Sequence, residues 1–178
     1  MPVADRLEVI LDSETIARRV AELAESIAAA GLDNLVVIPI LKGSFIFAAD
    51  LIRALHTAAL KPEVDFIFLS SYGTGTESSG RIAVLRDIET EVAGRNLLLV
   101  DDILESGRTL AYAKDLMMAR RAARVATCVL LEKRVRRAVS IEADFRGFLC
   151  PDEFVVGYGM DLAHRYRELP FVGRLMRD

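Results

Sequence analysis

Leu97-Leu98-Leu99-Val100-Asp101-Asp102-Ile103-Leu104-Glu105-Ser106-Gly107-Arg108-Thr109-Leu110 is the stretch whose reading decides the fold. Four apolar residues between Asn96 and Asp101 suit a central parallel strand covered on both faces. Two carboxylates follow, then a short loop carrying a glycine and hydroxyl groups, then a helical pattern. This predicts a strand over 97–101 and a helix over about 106–121. The free N–H groups and dipole at such a helix start favour an anion. Gly107 lets the backbone approach a phosphate closely, and Ser106 and Thr109 add hydroxyl donors. Asp101 and Asp102 supply hard oxygen ligands suited to Mg²⁺, which keeps several waters and bridges to substrate phosphates. An acidic pair taken alone is more often a solvated strand end; the pair, the loop and the helix start together are much more specific.

Outward from this run, apolar strands alternate with amphipathic helices. Ile16, Val20, Leu23 and Ile27 recur at helical spacing between a capping Ser13 and a terminating Gly31. Leu35 to Ile40 reads as a buried strand leaving through Leu41-Lys42-Gly43-Ser44 into a helix over about 44–56. Further strands are predicted over 64–70, 81–85, 125–131, 145–149 and 154–158. Strand-helix alternation implies βαβ units, a largely parallel sheet flanked by helices, and ligands at the carboxyl ends of the strands. The 178 residues fit one domain, 1–178, with a substantial core, and no repeat or linker interrupts them.

Composition removes several classes of function. With 52% hydrophobic and 28% charged residues and a net charge of -3, the chain lacks the overall basic footprint of a general nucleic-acid binder. Cys128 and Cys150 sit in apolar surroundings without metal-ligand spacing, as buried thiols in a reducing compartment do. No apolar leader and no stretch of membrane-spanning length is present, so a cytoplasmic location is expected.

The remaining polar loops fall where the first one does. Lys42 and Gly43 follow a buried strand, so that their backbone N–H groups and the lysine could hold a second anion. Residues 71–80, rich in Gly, Ser and Thr, predict a flexible loop suited to act as a lid. Lys133 ends an apolar strand and opens the basic cluster Lys133-Arg134-Val135-Arg136-Arg137. Such clusters are by default solvated; this one, and the segment 81–86, are places where subunits could meet.

The run Val100 to Thr109 resembles the 5-phosphoribosyl-1-diphosphate (PRPP) signature of the type I phosphoribosyltransferases. Phe154-Val155-Val156-Gly157-Tyr158-Gly159-Met160-Asp161 and Tyr166-Arg167-Glu168-Leu169-Pro170 narrow the resemblance to the hypoxanthine-guanine branch, from about Leu7 to the end of the chain. The resemblance implies the type I fold, with a small hood of N- and C-terminal segments over the sheet and the flexible loop beginning at Ser71-Tyr72. It implies PRPP and phosphate binding by Asp101, Asp102, Glu105, Ser106, Gly107, Arg108 and Thr109. Pyrophosphate would be held by Lys42, Gly43 and Arg167, with a cis peptide between Leu41 and Lys42. The purine would be read by Lys133, Phe154, Val155 and Asp161, and Mg²⁺ held by Asp101, Asp102 and Asp161.

A lysine suits a 6-oxo acceptor and would be wrong for a 6-amino group, itself a donor. Without the resemblance, Phe154 would read as a core residue. Glu105 would be the catalytic base at the purine N7, and here the chain departs from the pattern, since the family more often carries Asp at that position. The implied reaction forms IMP or GMP and pyrophosphate in purine salvage, without nucleic acid or membrane, in a homodimer or homotetramer. Two other readings share the PRPP motif: a pyrimidine-operon RNA-binding attenuator with uracil phosphoribosyltransferase activity, and a non-catalytic PRPP-sensing regulator. The first needs a basic RNA face and fits the C-terminal segments poorly; the second is disfavoured by Glu105 and Lys133 and by the lack of a DNA-binding extension.

Overall fold

The computed structural model describes residues 6–72 and 81–176. In chain order the elements are β1 (Leu7–Leu11), α1 (Ser13–Ala29), β2 (Leu35–Leu41), α2 (Phe45–Thr57), β3 (Glu63–Val64), β4 (Ile67–Tyr72) and β5 (Arg81–Arg86). They continue with β6 (Asn96–Leu104), α3 (Arg108–Ala119), β7 (Arg124–Lys133), β8 (Phe145–Cys150), β9 (Val155–Val156) and β10 (Val172–Leu175).

The main sheet runs β5-β4-β2-β6-β7-β8, with β3 beside β2. Its ladders are parallel except for the antiparallel β4–β5 pair. Alternation within the central strands sorts their side chains onto two faces. Val37, Leu98 and Val100 pack with Ile16, Leu23, Phe47 and Leu51 of α1 and α2. Val36, Ile38, Leu97 and Leu99 pack with Leu110, Ala113 and Met117 of α3 on the other face. Both faces are therefore dry, which is why β2 and β6 read as unbroken apolar runs.

The helices begin and end for local reasons. Asp12, not Ser13, caps α1, its carboxylate accepting from Thr15 N at 2.8 Å. Gly31 follows the helix end with φ 65°, the left-handed conformation that stops it. The third helix starts two residues later than predicted, at Arg108, because Gly107 adopts φ 79° and turns the chain into it. The first helix is capped by a side chain and the third is entered from a loop, and only the latter start lies over the sheet's carboxyl edge.

Three strand predictions need correction. The strand expected to stop at Asp101 runs on to Leu104, because Ile103 and Leu104 continue the parallel ladder opposite Leu131 and Glu132. The predicted 64–70 strand is split into β3 and β4. The predicted 154–158 strand shrinks to Val155–Val156, since Gly157 and Gly159, at φ 95° and 98°, turn the chain away. The short strand joins a second, antiparallel sheet in the order β1-β10-β9, formed by the two ends of the chain. This is the expected hood; Val155, Tyr158, Met160 and Val172 root it in the α1/α2 side of the core.

Candidate active site

At the carboxyl edge of the sheet, the exits of β2 and β6 enclose a cavity of about 260 Å³. Leu41, Lys42 and Gly43 line one side; Asp101, Asp102, Glu105, Ser106, Gly107 and Thr109 line the other. The structure thus brings together the two anion-binding loops that the sequence placed separately. The Leu41–Lys42 peptide is cis. Lys42 Nζ lies 5.3 Å from the centre of the Phe68 ring on the neighbouring strand. Ser44 is buried and ties the loop back to its own strand, donating to Ile40 O at 2.6 Å.

Asp101 and Asp102 sit inside β6 rather than beyond it, so their backbones are fixed by the sheet. Asp101 Oδ1 accepts from Asp102 N at 3.0 Å, and Asp102 Oδ1 accepts from Ile103 N at 2.9 Å. Burial pushes the Asp101 carboxyl well above the usual carboxylate range, and the neighbouring Asp102 charge adds to the effect. Asp102 is also raised by burial, with opposing contributions from its hydrogen bonds and from the Arg167 charge. Two adjacent buried carboxylates of this kind are suited to a hard cation, which would favour their ionised form. No cluster of three or more acid, histidine or cysteine groups that could hold a metal occurs among the described residues. The donor set therefore fits an ion completed by water and substrate oxygens, as Mg²⁺ is, and not a closed protein cage.

The phosphate loop is tight. Ser106 Oγ accepts from Arg108 N at 3.3 Å, and the α3 N-terminus opens towards the cavity through Thr109 and Leu110. On the opposite wall, a Cβ on Gly43 would lie 1.9 Å from Asp102 Oδ2, so only glycine lets the two loops meet. Gly159 of the hood also approaches closely, and a Cβ there would stand 2.4 Å from Gly43 O.

Of the predicted purine residues, Lys133 reaches this cavity through Glu105, whereas Phe154 lines a separate cavity of about 740 Å³ together with Asp152, Glu153 and Leu162. Lys133 is the last residue of β7 and is buried, yet its Nζ reaches Glu105 Oε1 at 3.1 Å and Asp152 Oδ1 at 3.9 Å. The lysine expected to read the purine and the candidate base are thus one ion pair. Phe154 is 50% exposed, which overturns its reading as core and leaves its ring open for stacking. Val155 is buried on β9. Asp161 is engaged by Arg167 at 2.8 Å and by His164 N at 2.7 Å, while Arg167 also donates to Gly159 O at 2.6 Å. Ser71 and Tyr72 belong to β4, paired with Ile82 and Arg81, because the β4–β5 ladder extends that far. The rest of the predicted lid, 73–80, lies outside the described residues.

The basic cluster is only partly a free surface. Lys133 is buried and Arg137 is bound to Glu132 within the chain, while Arg134 and Arg136 remain exposed. Sequence reading missed Glu132 and Arg137 as partners; a lone acid inside Val129-Leu130-Leu131-Glu132, followed by a basic run, was the available signal. No helix among the described residues is long and apolar enough to cross a membrane.

Comparisons with known proteins agree with this geometry. The phosphoribosyl transferase domain family matches residues 7–162. The chain is 42% identical over 169 residues to the hypoxanthine-guanine phosphoribosyltransferase of Bacillus subtilis (strain 168), covering 94% of this chain and 92% of that protein. It is also 42% identical over 172 residues to the bifunctional protein TilS/HprT of Listeria innocua; that match takes in 96% of this chain but spans only 26% of the relative. A crystal structure of a hypoxanthine phosphoribosyltransferase from Staphylococcus aureus superposes with a TM-score of 0.89 at 38% identity, over 95% of this chain and 91% of that one. The chain belongs to the phosphoribosyltransferase family, in its hypoxanthine-guanine branch.

Proposed function

We propose that this chain transfers the 5-phosphoribosyl group of PRPP to a 6-oxopurine, hypoxanthine or guanine, giving the nucleoside 5′-monophosphate and pyrophosphate. The observation that carries this reading is the buried Lys133, held 3.1 Å from Glu105 at the mouth of the phosphate cavity. A fixed cationic donor beside a carboxylate matches the 6-oxo and N7 edge of an oxopurine, where one atom accepts and the other loses a proton. Phe154 stacks on the base, and Val155 and Asp161 border its far edge.

Ser106, Gly107, Arg108 and Thr109 receive the 5′-phosphate at the start of α3. Lys42, Gly43 and Arg167 face the leaving pyrophosphate and stabilise its growing charge. Asp101 and Asp102 would hold the ribose hydroxyls and Mg²⁺, and Asp161 would serve a second ion; when bound, Mg²⁺ would neutralise charge on the pyrophosphate. Glu105, resting 3.1 Å from Lys133 Nζ, takes the purine proton as the glycosidic bond forms. A homodimer or homotetramer is the expected assembly, with β5 at the open edge of the sheet.

Incubation with Mg²⁺ and PRPP, following loss of hypoxanthine, guanine, xanthine and uracil, tests the reading. Consumption of hypoxanthine or guanine with stoichiometric pyrophosphate is expected. Turnover of uracil alone, or of no base, overturns it.

A further inference from the structure

We infer that Arg137 is a positioning residue for the phosphate loop, acting through the 138–141 segment that braces Ser106 and Gly107. This rests on the reading of that loop as the 5′-phosphate site, and concerns residues that never touch substrate.

Glu132 stands one position before Lys133 on β7, with a side chain only 11% exposed. Its Oε1 accepts from Arg137 Nη2, and its Oε2 accepts from Arg146 Nη1 of β8 at 2.7 Å. Arg137 spends its other arm on Ile141 O, at 2.7 Å. Its Nε is buried without an acceptor among the described residues, a cost that its two charge-assisted hydrogen bonds must offset. Arg137 therefore staples the loop after β7 at both ends: to a buried carboxylate on the sheet and to a carbonyl four residues on.

The stapled loop is what holds the phosphate loop from behind. Ala138 N and Val139 N both donate to Ser106 O at 3.1 Å. Gly107 lies so close that a Cβ there would stand 2.6 Å from Val139 O and 2.8 Å from Ile141 Cγ2. Releasing Arg137 frees the segment, and with it the Ala138 and Val139 N–H donors that hold Ser106 O and so orient Ser106, Gly107 and the first turn of α3. Lys133 would be spared, because its backbone is held in the β7–β8 ladder opposite Cys150. The two substrates should thus respond differently.

The test compares wild type with Arg137→Met and Arg137→Lys in steady-state kinetics, varying PRPP and hypoxanthine separately, with thermal melts alongside. Wild-type turnover is measured first, so an inactive parent protein counts against the functional reading and not against Arg137. Losing a charge-assisted hydrogen bond predicts that Arg137→Met raises KM for PRPP about tenfold or more, with KM for hypoxanthine within about twofold. Arg137→Lys keeps a cation opposite Glu132 but has no second arm for Ile141 O, so its KM for PRPP falls between the two. A proportional rise in both KM values, or no change in either, overturns the assignment. Should Arg137→Met not fold, a raised PRPP KM in Arg137→Lys alone supports it, and wild-type kinetics in that variant overturn it.

Discussion

Gly43 and Asp102 share a space with no room for a methyl group, which makes position 43 a sharp test of the two-loop site. In Gly43→Ala the new Cβ would meet Asp102 Oδ2 at 1.9 Å, and the aspartate is the partner able to move. Its backbone is fixed in β6, so the carboxylate rotates out of the cavity while the sheet stays intact. A displacement of this size in a catalytic group costs about 100-fold in kcat/KM. The expected result is that loss with a melting temperature within about 4 °C of wild type, equivalent to about 1 kcal/mol or less. Glu105 calls for a different readout. Glu105→Gln keeps the length and a contact with Lys133 but cannot accept a proton, so kcat should fall by about 10²–10⁴. PRPP touches the loop through other atoms, and its KM should stay within about threefold of wild type. Equal loss of turnover and PRPP binding would give Glu105 a structural role instead.

Three separate stretches of chain form the hood, and Arg174 of β10 joins them. It pairs with Glu8 of β1 at 2.7 Å and with Glu153, just before β9, at 2.6 Å. Phe154 directly follows Glu153, so the clasp would set the height of the proposed stacking platform. Partly exposed pairs contribute only about 0.2–1 kcal/mol each, so Arg174→Met should raise KM for purine by about two- to tenfold. The KM for PRPP should remain near wild type, the reverse of the pattern expected at Arg137, and kinetics with each substrate varied separately will show it. The hood is also where the sequence was hardest to read. The main sheet was legible because β2, β6 and β7 are covered on both faces and so spell continuous apolar runs. By contrast β1 and β10 are short, β1 is partly exposed, and they pair with each other from opposite ends of the chain. Neither carries a local pattern strong enough to mark a strand. The phosphate loop was visible because its chemistry lies in consecutive residues, whereas the Glu132–Arg137–Ser106 linkage runs through side chain and backbone across the fold. Gly43 was legible as a glycine after a strand; its reason, the Asp102 carboxylate, was not.

At the scale of the whole molecule, Glu132 links β7, β8 and the loop behind the phosphate site, so its ionisation should be felt in global stability. Burial pushes its carboxyl up, but hydrogen bonds from Arg146 and Arg137 outweigh that and hold it below the ordinary value of 4.5. A carboxyl with a lowered folded pKa binds fewer protons folded than unfolded, so stability rises with pH across the interval between the two values. The contribution is fully present above 4.5 and is lost as pH falls through the folded value. Asp101 and Asp102 act with the opposite sign: burial raises their folded values, and stability falls as pH climbs past their ordinary 3.8. The wild-type curve alone would mix these trends. Comparing wild type with Glu132→Gln removes the aspartate pair, which is common to both proteins. Denaturant midpoints should then differ most above pH 4.5 and converge as pH falls through the lowered folded value of Glu132, below which both side chains at position 132 are neutral. A gap that stays constant across that range would mean that Glu132 acts through packing, and that the charge between Arg137 and Arg146 does not hold the loop.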